Sequence, residues 1–280
     1  DGAIINYLLK ADAKDVVLEV LDKNGKLVRR SASSDPLELL NPAPLPHPTY
    51  WVRPPQSLSA KAGMQRWVWE LRYTPPAAVS RSLPIAAIYR NTPPNPLGPL
   101  AAPGQYQIRL TVDGKTFTEP LELKMDPRVT IPTSELAAAQ TAALACYEAI
   151  AKLRAAQAEV RKLREQLKAR KDQSGAGALA TAIDDLDKKA AALEGRTAGL
   201  DFFGISNREP GFAGLSNGFL SLMNLIAGVD AKPTTQALKA VEDQQRAFAN
   251  LQTRWNELKS KDLKALNDQL SKANLPAVTM

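Results

Sequence analysis

The sequence predicts a multidomain protein of β + α class, with a β-sandwich followed by an antiparallel four-helix bundle. Of its 21 prolines, 18 precede residue 133, and proline is excluded from helix interiors and central strands. Apolar residues alternate in short runs before this point and recur at helical spacing after it. We therefore expect the sandwich over residues 1–126, a linker over residues 127–132 and the bundle over residues 133–280.

Short runs rich in β-branched residues define the strands of the first domain. The predicted strands cover residues 3–9, 15–21, 26–30, 66–73, 105–112 and 115–124. Gly25 closes the turn of one hairpin, and Asp113-Gly114 predicts a type I′ turn in a second hairpin. Strands at this spacing, with no helical window between them, indicate a sandwich of immunoglobulin or fibronectin type.

The strand predicted over residues 66–73 is the most distinctive, because it carries large aromatic side chains. Its period of two puts Trp67, Trp69, Leu71 and Tyr73 on one face. We interpret this face as core, since large aromatics in regular alternation usually point to the interior. The alternative is an aromatic platform of Trp67, Trp69 and Tyr73 that stacks on sugar rings.

Two long proline-rich loops, residues 32–62 and 74–103, interrupt the strands. Loops of this length are usually functional or disordered. Their aromatic residues argue against disorder, which is poor in such side chains. We expect them to be ordered against the sheet or a neighbouring domain, and they give the candidate interaction residues Tyr50, Trp51, Arg53, Tyr89 and Arg90.

Apolar spacing of three and four residues predicts four helices in the second domain. The first begins at Thr133 or Ser134 and reaches Asp172, and the fourth begins at Pro233-Thr234-Thr235 and runs through Leu270. These long helices, outreaching the two shorter ones between them, would extend as a coiled-coil hairpin. The shorter helices carry apolar residues over 179–193 and 212–229, and a connector with buried aromatics is expected over 202–210.

No residue pattern predicts catalysis. Nucleophilic triads and most metal sites need histidine, and the sole His47 lies between two prolines, which favours a loop surface. The single cysteine, Cys146, falls among apolar residues of the first predicted helix, which favours a buried, inert thiol. We predict that the chain is not an enzyme.

No metal or cofactor site is predicted either. Asp184, Asp185 and Asp187 lie beside two lysines on a predicted helix, which is typical of a solvated face. The Glu-x-x-His motif of carboxylate-bridged bundle metal sites is absent from the sequence. The glycines at 175 and 177 lack the preceding strand and the following lysine of a phosphate loop.

The charge pattern argues against nucleic acid as a partner. The formal net charge is +7, but basic and acidic residues alternate along both predicted domains instead of forming a basic stripe with aromatics. No apolar run approaches the roughly 18 residues that suggest a membrane span. The chain opens at Asp1 without an initiator methionine, so we expect an excerpt or a processed product.

Several segments together form a family pattern. They are TYWVRPP at 49–55, AGMQRWVWELRY at 62–73, YRNTP at 89–93, GQYQIRLTVDGK at 104–115, MDPRV at 125–129 and the helical end at 251–276. This combination resembles the C-terminal region of secreted bacterial proteins with BNR-repeat (Asp-box), sortilin-like β-propellers, often labelled glycosyl hydrolases. The Ser-x-Asp-x-Gly-x-Thr repeats of that propeller have no counterpart in the sequence, so none of its functional residues can be transferred.

The resemblance implies an accessory module of an exported protein, located outside the cell, in the periplasm or on the cell surface. The expected partner is a protein, the β-propeller domain of the same polypeptide or complex, with a homo-oligomer through the bundle as a further expectation. Two alternatives stay open. The chain could be the carbohydrate-binding module of a glycoside hydrolase, or a piece that completes a propeller active site.

Overall fold

The structure, a computed structural model, describes residues 2–37, 47–77, 79, 81–195 and 210–280. Within these ranges it contains two antiparallel β-sheets and several helices, so the chain is of β + α class. Its strands are β1 (Ala3–Leu9), β2 (Val16–Asp22), β3 (Leu27–Ala32), β4 (Gly63–Trp69), β5 (Gly104–Val112) and β6 (Lys115–Leu123).

The larger sheet has the strand order β3-β2-β5-β6, and all its neighbouring strands are antiparallel. In β2 the alternate residues Val16, Leu18 and Val20 are fully buried, as the two-residue period of a strand requires. Val20 is paired with Ile108 of β5, which is also buried. Strand β6 lies at the edge, where Pro120 is tolerated because its missing N–H interrupts no inner ladder.

The turn between β5 and β6 confirms the predicted hairpin. Asp113 and Gly114 both have positive φ, 48° and 82°, which a type I′ turn requires. The Asp113 carboxylate also accepts hydrogen bonds of 2.9 Å from the backbone N–H groups of Lys14 and Asp15. The turn therefore holds the start of β2 as well as joining its own two strands.

The smaller sheet pairs β1 with β4, in a register that sets Ala3 opposite Trp69. The predicted strand over residues 66–73 corresponds to β4. Its predicted end at Tyr73 is wrong, because Leu71 has a φ of 58° and breaks the extended backbone. Beyond the break the chain forms other bonds. Ala101 N donates to Leu71 O (2.7 Å), and Tyr73 N donates to Pro99 O (3.0 Å).

The described helices are α1 (Thr133–Ser174), α2 (Ala178–Glu194), α3 (Phe212–Ala227), α4 (Thr235–Glu257) and α5 (Leu263–Lys272). The fourth predicted helix begins with Thr234 as N-cap, whose hydroxyl accepts from Ala237 N (3.1 Å). This predicted helix is not one continuous α-helix, because a π-helical turn (Leu258–Asp262) separates α4 from α5. Val229 lies beyond α3 and is exposed, contrary to the prediction. The connector expected at 202–210 lies outside the described residues except for Pro210.

The helices pack through apolar stripes and a few aromatic contacts. Phe212 of α3 and Trp255 of α4 meet edge to face, with ring centroids 6.4 Å apart. The indole N–H of Trp255 donates to the carboxylate of Glu159 in α1 (3.2 Å). The fully buried aliphatic residues of these helices include Ile150, Leu153, Leu163, Leu167, Ile183, Leu215, Met223 and Leu270.

The chain divides into two compact units. The first comprises Asp1–Thr141 with Val229–Lys232, and the second comprises Ala142–Gly228 with Pro233–Met280. In the first unit, the Lys232 ammonium lies 3.4 Å from the carboxylate of Glu135 near the start of α1. The boundaries expected from the sequence, at residues 126 and 133, stay a prediction.

Candidate functional site

The two proline-rich loops meet in the first unit and are joined through their backbones. Val52 and Thr92 form an isolated parallel bridge. Arg53 N donates to Thr92 O (2.9 Å), and Thr92 N donates to Trp51 O (3.3 Å). Val52 and Thr92 are both buried, so the junction lies in the interior. Its bonds place residues 50 and 89, far apart in sequence, next to each other.

Side chains fix the same junction from both loops. The guanidinium of Arg53 donates through Nε and Nη2 to Asn91 Oδ1 (3.0 and 2.7 Å), and its Nη1 lies 3.2 Å from Glu70 Oε2. The Thr92 hydroxyl donates to Ile88 O (2.9 Å) and accepts from Ile88 N (2.7 Å). Arg53, expected as an interaction residue, thus uses its guanidinium to hold one loop against the other.

An exposed aromatic pair covers this junction. Tyr50 is 61% exposed and Tyr89 is 60% exposed, with ring centroids 6.2 Å apart and a tilt of 60°. Ile88 beside them is exposed too, and the Arg90 guanidinium lies 6.0 Å from the ring centre of Tyr89. Trp51 is half-buried. We call Tyr50, Ile88 and Tyr89 the tyrosine patch.

The strand aromatics lie in the interior instead. Trp67 is 4% exposed, Trp69 is 1% exposed, and Tyr73 is buried as well. The indole N–H of Trp69 donates to Arg72 O (2.9 Å), and its ring meets that of Tyr106 at 5.2 Å. Stacking on a sugar needs an open ring face, which these three side chains do not offer in this structure.

A cleft next to the loop junction was not expected from the sequence. It has a volume of about 230 Å³. Among the residues that the structure describes, its charged lining is Arg29, Arg30, Arg53, Arg72, Arg81, Asp35 and Glu70. We call it the arginine cleft. No motif marks it, because β3, the two loops and the segment that follows β4 each supply one or two of these side chains.

The residues to consider for catalysis or metal binding are Cys146, His47 and clusters of acidic residues. Burial raises the pKa of the Cys146 thiol to about 11, so the thiol is protonated at neutral pH and unsuited to nucleophilic attack. His47 is half-buried, with Nδ1 3.5 Å from Pro48 O. Within the described part of the chain, no group of three or more His, Cys, Asp or Glu residues could hold a metal ion. No described helix is long and apolar enough to cross a membrane.

The helical unit has a groove of about 350 Å³ between α1 and α2. Four of its charged residues are paired with one another. Arg164 Nε donates to Asp187 Oδ1 (2.8 Å), and the Lys171 ammonium lies 2.7 Å from Asp184 Oδ1. Such pairing is typical of helix packing, so the loop junction and the arginine cleft are the stronger candidate sites.

Comparison of the chain with profiles of known protein families, with curated proteins and with solved structures finds no match. The family resemblance of the segments at 49–55, 62–73 and 104–115 therefore stays an expectation from the sequence. Function has to be argued from the tyrosine patch and the arginine cleft themselves.

Proposed function

We propose that the chain is a non-catalytic structural and interaction module of an exported protein. In this proposal the two sheets form an immunoglobulin-like sandwich that presents its proline-rich loops to a partner domain. The helices form an antiparallel four-helix bundle that meets another protein or a second copy of the chain. The observation that carries the proposal is the exposed Tyr50–Tyr89 pair above a junction fixed by hydrogen bonds.

The physics of docking favours such a surface. Tyrosine is enriched in interfaces, because it buries a large area while losing only two side-chain rotations. The backbone beneath the pair is already held by the Val52–Thr92 bridge and by the Arg53–Asn91 bonds. Prolines in both loops restrict the unbound chain further, so less conformational entropy is lost when a partner binds.

The partner in this proposal is the β-propeller domain of the same polypeptide or complex, as the sequence resemblance implies. A carbohydrate-binding module is the main competing function, and it would use Trp67, Trp69 and Tyr73. The burial of all three side chains favours docking over sugar binding. A chain that completes a propeller active site would use the same loops, so it shares the docking step.

The test measures the affinity between this chain and a separately produced propeller, by biolayer interferometry. We expect the double variant Tyr50→Ser, Tyr89→Ser to bind at least about tenfold more weakly, since central interface aromatics contribute over 1 kcal/mol each. A matched control is Leu8→Ser, Met64→Ser. This pair faces each other across β1 and β4 and is similarly exposed, at 61% and 69%.

We expect the control variant to keep the affinity of the unchanged chain. Equal affinity for the Tyr50, Tyr89 variant and the unchanged chain would remove the patch from the mechanism. Loss of affinity in the control alone would move the interface to the smaller sheet. Light scattering of the chain alone measures self-association, so formation of a dimer is distinguished from binding to the propeller.

A further inference from the structure

The arginine cleft carries an excess of positive charge in a partly enclosed space. Among its described lining residues, five arginines meet two acidic residues, Asp35 and Glu70, for a formal charge of +3. All five cations are arginines, whose planar guanidinium matches carboxylate and phosphate groups with two parallel N–H donors. Lysine, the usual cation of a merely solvated surface, does not occur in this described lining.

The acidic residues of the cleft are already engaged. Glu70 lies 3.2 Å from Arg53, and Asp35 lies 3.2 Å from Arg30. Arg72 instead donates through Nη1 to the neutral carbonyl of Gly98 (3.0 Å). A carbonyl accepts a hydrogen bond but carries no counter-charge, so the charge of Arg72 is not neutralised by that bond.

The surroundings of Arg72 disfavour its positive charge. Burial lowers the pKa of its guanidinium most, the charge of Glu70 raises it to a smaller extent, and repulsion by Arg53 lowers it by less than Glu70 raises it. An arginine stays protonated at any physiological pH, so the group cannot relieve this by losing a proton. An oxyanion seated between Arg53 and Arg72 would reduce their repulsion and supply a charged acceptor.

The walls of the cleft limit the size and shape of a ligand. About half of the lining residues are prolines or other apolar or aromatic residues, beside the charged residues and the polar Ser31 and Gln56: Pro36, Pro54, Pro55, Pro75, Pro93, Pro94, Val52, Leu97, Val68, Trp67 and Tyr73. Proline offers no backbone N–H, and the amide of Gln56 already donates to Val68 O (3.2 Å), so the arginines are the charged donors of this lining. The volume of about 230 Å³ is below the range of roughly 300–1,000 Å³ for pockets that take drug-sized ligands. The cleft therefore suits a small, compact body with one anionic group.

We propose that the arginine cleft binds a small ligand through its carboxylate or phosphate group, which lies among Arg53, Arg72 and Arg81. The ring or short apolar body of the ligand contacts the proline walls. This proposal is independent of docking by the tyrosine patch, since it needs none of the patch's aromatic side chains.

The experiment titrates the chain with benzoate, inorganic phosphate and the neutral benzoate isostere benzamide, by isothermal titration calorimetry at low salt. We expect benzoate, phosphate or both to bind and benzamide not to bind. Tighter binding of benzoate than of phosphate identifies the ligand as a carboxylate on an apolar body. Tighter binding of phosphate than of benzoate identifies it as free phosphate or a phosphorylated compound. No binding of either anion, or equal binding of benzamide and benzoate, would overturn the proposal.

Variants locate the binding. We expect Arg72→Gln to weaken anion binding at least about tenfold, since it removes a charged hydrogen-bond donor to the anion. The matched control is Arg66→Gln, which removes the same charge from β4 outside the cleft, where Arg66 donates to Asn6 Oδ1 (3.2 Å). Equal weakening by both variants would mean non-specific attraction and would overturn the assignment.

A second measurement covers the case in which Arg72→Gln does not fold, as judged by circular dichroism. In the unchanged chain, anion binding should shift the arginine side-chain N–H resonances of Arg53, Arg72 and Arg81 but not that of Arg109 on β5. Shifts confined to other arginines contradict the proposal. The Tyr50→Ser, Tyr89→Ser variant should bind the anion unchanged, so failure of docking and failure of anion binding are distinguishable.

Discussion

Trp69 links three parts of the first unit through one residue. Its backbone is paired with Ala3 of β1, its ring meets Tyr106 of β5, and its indole N–H donates to Arg72 O. The ring is 1% exposed. A side chain so placed joins the two sheets and the chain segment that leads into the arginine cleft.

Truncation of the Trp69 side chain should destabilise the first unit. We expect Trp69→Ala to lower the free energy of unfolding by about 3–5 kcal/mol, because the lost aromatic volume leaves a cavity and Arg72 O loses its donor. The half-buried Trp51 gives a matched control, and Trp51→Ala should cost about 1 kcal/mol or less. Urea unfolding followed by circular dichroism measures both, and equal losses would contradict the assignment of Trp69 to the core.

Residue roles were predictable from the sequence only where a local pattern determines them. The period-two alternation is enough to expect Trp67 and Trp69 on a common face. The role of Arg53 was not predictable, because its partners Asn91 and Glu70 come from other segments of the chain. The nearby Trp51 and Pro54 suggested that Arg53 is an exposed contact residue instead.

At the scale of elements, α1 and α2 are connected by a charged network. Arg164 donates to Asp187 (2.8 Å) and to Glu194 (2.7 Å), and Arg161 donates to the other oxygen of Glu194 (2.7 Å). These bonds raise the pKa of Arg164. Burial raises the pKa of Glu194, but the bonds from both arginines outweigh it and hold that pKa below its ordinary value.

We expect Arg164→Met to destabilise the helical unit by about 1–3 kcal/mol at pH 7, since it leaves a mostly buried Glu194 with one partner fewer. Lys188→Met is the control, because its ion pair with Asp185 is exposed and should contribute under about 0.5 kcal/mol. The depressed pKa of Glu194 means that its contribution is present above the ordinary carboxyl range and lost as the pH falls through the folded pKa.

The difference between Arg164→Met and the unchanged chain should therefore shrink between pH 7 and pH 3, as measured by urea unfolding at both values. An equal difference at both pH values would contradict a role for the ionised carboxylate. The sequence alone could not predict this network. Helical spacing placed Asp184 and Asp187 on one helix, but it did not reveal which face of α1 they meet.

Element ends were predictable where a cap or turn residue marks them, as at Thr234 and at Asp113-Gly114. They were not predictable where distant segments determine them. Strand β4 stops at Trp69 because Leu71 turns to bond Ala101, thirty residues later in the chain. The π-helical turn at Leu258–Asp262 likewise follows from no residue pattern that sequence periodicity detects.

At the scale of the whole molecule, the proline distribution and the spacing of the apolar residues were together sufficient to predict the β + α class. A chain whose prolines concentrate before residue 133 cannot place its long helices there. The candidate sites could not be predicted from the sequence, because each is formed by residues that only the fold brings together. The tyrosine patch joins residues 50 and 89 through a buried bridge, and the arginine cleft collects side chains from Arg29 to Arg81.

Docking of a partner domain on the tyrosine patch would cover both tyrosine rings. Hydroxyl-radical footprinting tests it most directly, by comparing Tyr50 and Tyr89 in the isolated chain and in a longer polypeptide that carries the propeller. Exposed Phe117 on β6 serves as a reactive control outside the patch. We expect Tyr50 and Tyr89 to become severalfold less reactive in the longer polypeptide, while the reactivity of Phe117 does not change. Unchanged reactivity of both tyrosines would contradict docking on this patch.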